Sequence, residues 1–160
     1  MSIKPTWPGI LKVQSEVYWQ VEPETLEVLQ SKWLRTPECC FVYQHEETVL
    51  GYLLAHAWIQ ETPPKLFKPL PEESDVSDSF LFIHDLAVSE QAAGKGIGSM
   101  LVSHLITIAE RMKFDEIRLV SVQDSVIFWR HMGFREVQNQ HISSTYGEDA
   151  TMMRYVLPEG

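Results

Sequence analysis

The stretch SEQAAGKGIGSMLVSHL, residues 89–105, sets glycines at 94, 96 and 98 around Lys95 and then turns at once into an apolar helical pattern. Ile97, Met100, Leu101, Leu105, Ile108 and Met112 recur at helix spacing, which predicts a helix starting close to Gly96. The first turn of a helix carries unpaired amides and the positive end of the dipole, and both favour an anion. Glycines there permit unusual backbone angles and a close approach to the main chain. A glycine-rich turn with no ligand is the plain alternative. On either side, FLFIHDLAVS (80–89) reads as a largely buried strand and IRLVSV (117–122) as another. The segment 80–122 is thus a strand–helix–strand unit, expected to be a right-handed parallel crossover.

Two common phosphate loops do not fit. A Walker A loop needs GxxxxGK followed by Ser or Thr, so that the lysine reaches the outer phosphates and the hydroxyl holds magnesium. Here Gly96 follows Lys95. A dinucleotide fingerprint needs GxGxxG packed directly against the preceding strand. Here the spacing is GxGxG, Ser89 to Ala93 separate the loop from Val88, and Asp115 and Glu116 precede the next strand. A third design remains, in which backbone N–H groups at the helix start converge on a pyrophosphate.

Outward from this unit, the chain alternates strand and helix signals without repeats. ILKVQ (10–14) reads as a short first strand, and SEVYWQ and PETLEVLQSKWL (23–34) as helical, with Pro23 suited to a first turn. CFVYQHE and TVLGYLLAHAWIQ (48–60) predict a hairpin. The proline-rich, acidic stretch 61–79 cannot be helix or inner strand, and a loop that long is often functional. DSVIFWRHMGF has Asp124 as a good N-cap and Gly133 as a stop, and a closing β-pair is expected over roughly 134–145 and 149–157. The order predicts one domain over 1–160, an α/β (α+β) fold with a mixed sheet and helices on its faces.

Composition narrows the function. The 160 residues are 44% hydrophobic and 22% charged, which is ordinary globular usage. A formal net charge of −9 argues against a nucleic-acid partner, which would call for clustered Lys and Arg. It is compatible with a cationic small molecule, although acidity commonly serves solubility alone. Cys39 and Cys40 are adjacent, so on a strand they point to opposite faces and are poorly placed to bridge each other. No metal-ligand spacing occurs. MSIKPTWPGI lacks an apolar signal region and no long apolar run comes after it, so no membrane association and a cytoplasmic location are expected.

LAVSEQAAGKGIGSML followed by SVIFWRHMGF resembles the GCN5-related N-acetyltransferase (GNAT) superfamily, with some likeness in IHDLAV to its aryl-alkylamine N-acetyltransferases. Leu86, Ala87 and Val88 match the family's strand end and Gly96 and Gly98 its acetyl-coenzyme A loop. Phe128, Trp129, Gly133 and Phe134 match its aromatic pair before Gly-Phe. The resemblance implies a mostly antiparallel sheet with a parallel β-α-β cofactor unit, acetyl-CoA as cofactor, and transfer of an acetyl group to a primary amine by direct attack. The pantetheine arm would lie along Leu86, Ala87 and Val88, and the pyrophosphate against Ala93, Gly94, Lys95, Gly96, Ile97, Gly98 and Ser99, with Trp129 nearby. Ala93 stands where the family has Arg or Gln, which leaves the backbone cradle but removes a side chain.

The chemistry needs a base for the amine, a donor for the oxyanion and a proton source for the thiolate. His84 is the candidate base, because its ordinary pKa suits neutrality. It is expected on the face of Leu86 and opposite Asp85 unless a bulge exchanges them, with His56 nearly opposite as a relay. Trp129 occupies the family's usual tyrosine position, and an indole N–H is no useful acid. Tyr146 and His131 are the candidate replacements. Tyr18, Trp19, Glu22, Trp58 and Tyr146 are candidates for an aromatic and acidic acceptor pocket. The acceptor would be a small-molecule or peptide amine, and a homodimer is compatible with the resemblance. The alternative class is a non-catalytic acyl-CoA-binding regulatory domain.

Overall fold

A computed structural model of the chain describes residues 7–17, 24–58, 80–122, 125–137 and 150–158. Helix α1 spans Trp7–Val17 and α2 Leu26–Arg35. Strand β1 spans Cys40–His45, β2 Thr48–Trp58 and β3 Phe80–Val88. Helix α3 comes next at Ile97–Arg111, then strand β4 at Glu116–Ser121 and helix α4 at Val126–His131. Strands β5 (Arg135–Glu136) and β6 (Thr151–Val156) close the chain.

One expectation fails at the start. Residues 10–14 belong to helix α1, not to a strand. Pro8 fits a first helical turn, where its missing N–H costs nothing. Ile10, Val13 and Gln14 lie buried on one side, a helical and not an alternating period. Helix α2 forms as expected but is capped by Thr25, whose hydroxyl accepts from the Val28 N–H at 3.4 Å. Ser125 stands at the N-cap of α4 without a side-chain cap. Asp124 and Pro23 lie outside the described residues.

The strands form one sheet in the order β1-β2-β3-β4-β6-β5, antiparallel throughout except at β3–β4. The mixed, mostly antiparallel sheet with a parallel β3–α3–β4 unit is the fold the sequence predicts. Glu46 and Glu47 close the β1–β2 hairpin at positive φ. One face packs α3 and α4 through Leu53, Leu81, Ile83, Leu101, Leu105, Trp129 and Phe134. The other packs α1 and α2 through Ile10, Val13, Leu29, Trp33, Tyr52 and Leu54. Cys39 lies in the first cluster and Cys40 in the second, both as free thiols.

Candidate functional site

The glycine loop takes the shape its sequence demands. Gly94 and Gly96 sit at φ +80° and +75°, the left-handed region that other residues enter only at a cost. A Cβ built on either meets nothing within 4 Å, so conformation and not crowding requires the glycines, and space lies open above them. Gly96 is the N-cap of α3 and supplies no capping side chain. The first amides of α3 therefore face outward as the donors that every helix start leaves over. Gly98 has a different reason: its Cβ would stand 3.4 Å from Phe128 Cζ and 3.7 Å from Val88 Cγ2, so it lets α3 seat on β3 and α4. Ala93, Gly94, Lys95 and Gly96 are exposed, Ile97 is buried and Gly98 and Ser99 are half-buried.

Beside this loop the sheet parts. The β3–β4 ladder pairs Leu81, Phe82 and Ile83 with Ile117, Arg118 and Leu119, and ends there. Strand β3 continues to Val88 along β2, where Tyr52 faces Ala87 and Gly51 faces Val88. The separation begins at a bulge. Asp85 pairs with Leu54 and Ile83 with Ala55, so His84 is the extra residue. Its side chain is 1% exposed although the residue as a whole is half-buried, which places the exposed part on the main chain. A bulge re-aims the residues beyond it. Leu86 and Val88 pack toward the α3 face and Ala87 toward the α1–α2 face.

The bulge also decides the place of His84. Regular pairing would set His84 on the face of Leu86 and Asp85 opposite; instead His84 and Asp85 both turn toward α1 and α2. Glu24 accepts a hydrogen bond from His84 Nε2 on Oε1 and one of 3.0 Å from Lys32 Nζ on Oε2. A carboxylate only accepts, so Nε2 carries a proton and donates it to Glu24. Lys32 Nζ lies 3.1 Å from Nε2 and 3.4 Å from Nδ1. Next to it, Tyr52 donates its hydroxyl to Asp85 Oδ2 at 2.5 Å. Gln14 fixes Glu24 from α1, donating to its carbonyl at 3.2 Å and accepting from its N–H at 3.1 Å.

Lys32 is fully buried, and that burial lowers its pKa while Glu24 and Asp85 oppose the shift. Burial and then the Lys32 charge lower His84, with Glu24 opposing. His56 lies opposite Phe82, its ring centred 6.3 Å from that of His84. Burial holds it well below its ordinary value, and its Nε2 has no hydrogen-bond partner among the described residues. Burial thus favours the neutral form of both rings. The sequence motifs do not point to Glu24 or Lys32. A signal existed: Lys32 shares a helical stripe with Val28, Leu29 and Trp33, where a lysine is out of place.

The remaining candidates scatter. Trp129 is 6% exposed and packs edge-on against Phe128 and Phe134 in the core, while Phe128 is the aromatic that meets the glycine loop. Trp58 is buried with Phe80 and Phe82 at the far end of β2–β3 from Val88, roughly 25 Å by strand rise. His131 is exposed on α4. Tyr18, Trp19, Glu22, Tyr146 and all of 61–79 fall outside the described residues. No helix among the described residues is long and apolar enough to cross a membrane.

An anion-receptive helix start thus lies beside a bulged, parting β-α-β unit. The profile of the Acetyltransferase (GNAT) family matches residues 6–134, and the chain belongs to that family. No functionally characterised protein matches it significantly by sequence. Among solved structures it is similar to Ard1 from Thermoplasma volcanium, with 17% identity over 95% of this chain and 91% of that one and a TM-score of 0.70. It is also similar to the ribosomal-protein-S18-alanine N-acetyltransferase of Escherichia coli, at 15% identity over 99% and 94% and a TM-score of 0.68. The NatC complex, solved with a Gag peptide and CoA, aligns at 19% identity over 99% and 96% with a TM-score of 0.71.

Proposed function

We propose that the chain is an acetyl-CoA-dependent N-acetyltransferase that passes an acetyl group to a primary amine by direct attack. The observation that carries this is the adjacency of the open, positive-φ glycine loop to the end of the β3–β4 ladder. Amides from Ala93 to Ser99 would hold the pyrophosphate, and the main chain of Leu86 to Val88 the pantetheine arm, as a peptide strand adds to a sheet. The structural relatives solved with CoA or as N-acetyltransferases support the same cofactor.

In the reaction the amine nitrogen bonds to the thioester carbonyl carbon, the C–S bond breaks and the amine proton is lost. A main-chain N–H at the bulge would donate to the developing oxyanion, and a fixed donor of this kind gains strength in a dry site. His84 remains tied to the reaction but in a changed role. A side chain 1% exposed, with one nitrogen on Glu24 and the other toward Lys32, is better suited to setting the bulge than to meeting an amine. The amine proton then leaves to solvent. Trp129, buried in the core, offers the thiolate no acid.

The test is release of free thiol from acetyl-CoA across a panel of polyamines, aryl-alkylamines, amino acids and peptides with free N-termini. Thermal stabilisation by acetyl-CoA with no turnover on any amine would favour the non-catalytic acyl-CoA-binding reading. His84→Ala separates the two roles of the histidine. Loss of the ascending limb of the pH–rate profile between pH 6 and 9 marks a base. An unchanged profile with a raised KM for acetyl-CoA marks a positioning residue.

A further inference from the structure

The β3 bulge has polar causes on both of its residues. In an unbulged strand, consecutive residues face opposite sides, so His84 and Asp85 could not both reach α1 and α2. Each nevertheless finds a partner there: His84 on Glu24 and Lys32, and Asp85 on Tyr52. Reverting to regular register would carry one of these groups to the apolar α3 face, among Leu53, Ile83 and Leu101. A buried polar group stripped of its partner is costly, and a buried charge more so. Glu24 is in turn fixed by Gln14 of α1 and by Lys32 of α2, both buried. The cluster thus ties two helices to the one residue at which β3 leaves β4.

We propose that Glu24 and Lys32 are positioning residues which, through His84, hold the β3 bulge in place and thereby keep the gap beside β4 shaped for the pantetheine arm of the acyl donor. The proposal rests on the acetyl-CoA reading given above. Neither residue touches the donor: each acts on the main chain of β3, while the glycine loop is built independently by Gly94, Gly96 and α3. The two halves of coenzyme A should therefore respond differently when the cluster is removed.

The experiment measures equilibrium binding of two ligands, whole coenzyme A and its nucleotide diphosphate half without the pantetheine arm. The proteins are the wild type and Glu24→Gln/Lys32→Met, a double variant that removes both charges together and strands neither. For wild type, whole coenzyme A binds more tightly than its nucleotide half. In the double variant, affinity for coenzyme A falls about tenfold, the worth of one or two lost backbone hydrogen bonds, while affinity for the nucleotide half changes less than about twofold. Equal weakening of both ligands, or of neither, overturns the proposal and leaves the acetyl-CoA reading standing. A wild type that binds neither ligand overturns both. Should the double variant fail to fold, Tyr52→Phe deletes a single hydroxyl from the Asp85 side of the bulge and is read by the same criterion.

Discussion

Replacing Gly96 by alanine separates what the glycine loop does for the fold from what it does for a ligand. At φ +75° an L-residue pays about 1–2 kcal/mol for the left-handed conformation, and the empty space around the built Cβ adds no clash. For a chain of this size that cost is about 2–8 °C in Tm. Gly133→Ala is the control. It has φ +101° and a Cβ only 2.8 Å from Tyr155 Cε2, so strain and overpacking add, and the side chain it would meet belongs to β6 and not to the loop. Coenzyme A at a hundred times its Kd stabilises a folded protein by about 2.7 kcal/mol. If the new methyl of Gly96→Ala displaces one charge-assisted hydrogen bond, about 1.5–3 kcal/mol of affinity goes. The ligand-induced stabilisation then shrinks to about 0.3–1.3 kcal/mol. Thermal unfolding with and without coenzyme A reads both effects. Gly133→Ala should be the less stable protein yet keep its full ligand shift; Gly96→Ala should be the more stable yet lose most of it. A full shift in Gly96→Ala would refute the pyrophosphate cradle.

Buried titratable groups give two further outcomes. His56 and His84 both have folded pKa values below the ordinary 6.5, so on acidification the unfolded chain takes up protons first. The stability they allow is present above about pH 6.5 and is lost as pH falls from there toward the folded values, each group contributing up to about 1.4 kcal/mol per pH unit. In denaturant melts between pH 7 and 5, His56→Phe should therefore show a shallower loss than wild type, and parallel curves would exclude His56 as a source. Burial pushes the Cys39 thiol up to about 12, with Glu38 adding, and raises Cys40 further. Both should resist a thiol reagent at pH 8 in the native protein and react together in denaturant; rapid modification of one thiol under native conditions would contradict their burial.

The residues of the sequence that carried the cofactor loop carried it through local rules. Gly94, Gly96 and the stripe from Ile97 to Leu105 need only each other to be read, as do the β1–β2 hairpin and the opposed faces of Cys39 and Cys40. Helix α1 was hidden because ILKVQ is too short to show a period by itself; the stripe Ile10, Val13, Val17 emerges only over three turns behind Pro8. The bulge at His84 was the deeper obstacle. It moves one side chain across the sheet, and its partners Glu24 and Lys32 stand 60 and 52 residues away in sequence. No local pattern records such a pairing. Only Lys32, sitting in the apolar stripe of α2, marks that an opposite charge must come from elsewhere.

The three residue pairs that join β3 to β4 are the only ladder between the amino-terminal meander of β1–β3 and the carboxy-terminal strands β4–β6 among the described residues. A sheet so joined behaves as two leaves on a short seam. Closing that seam requires contacts between residues more than thirty positions apart, across the whole of α3. Anything laid along the parted edges lengthens the seam from outside, adding the rungs that the chain leaves out. Its binding energy then enters the cooperativity of the whole domain, so occupancy of the gap governs how readily the two leaves separate.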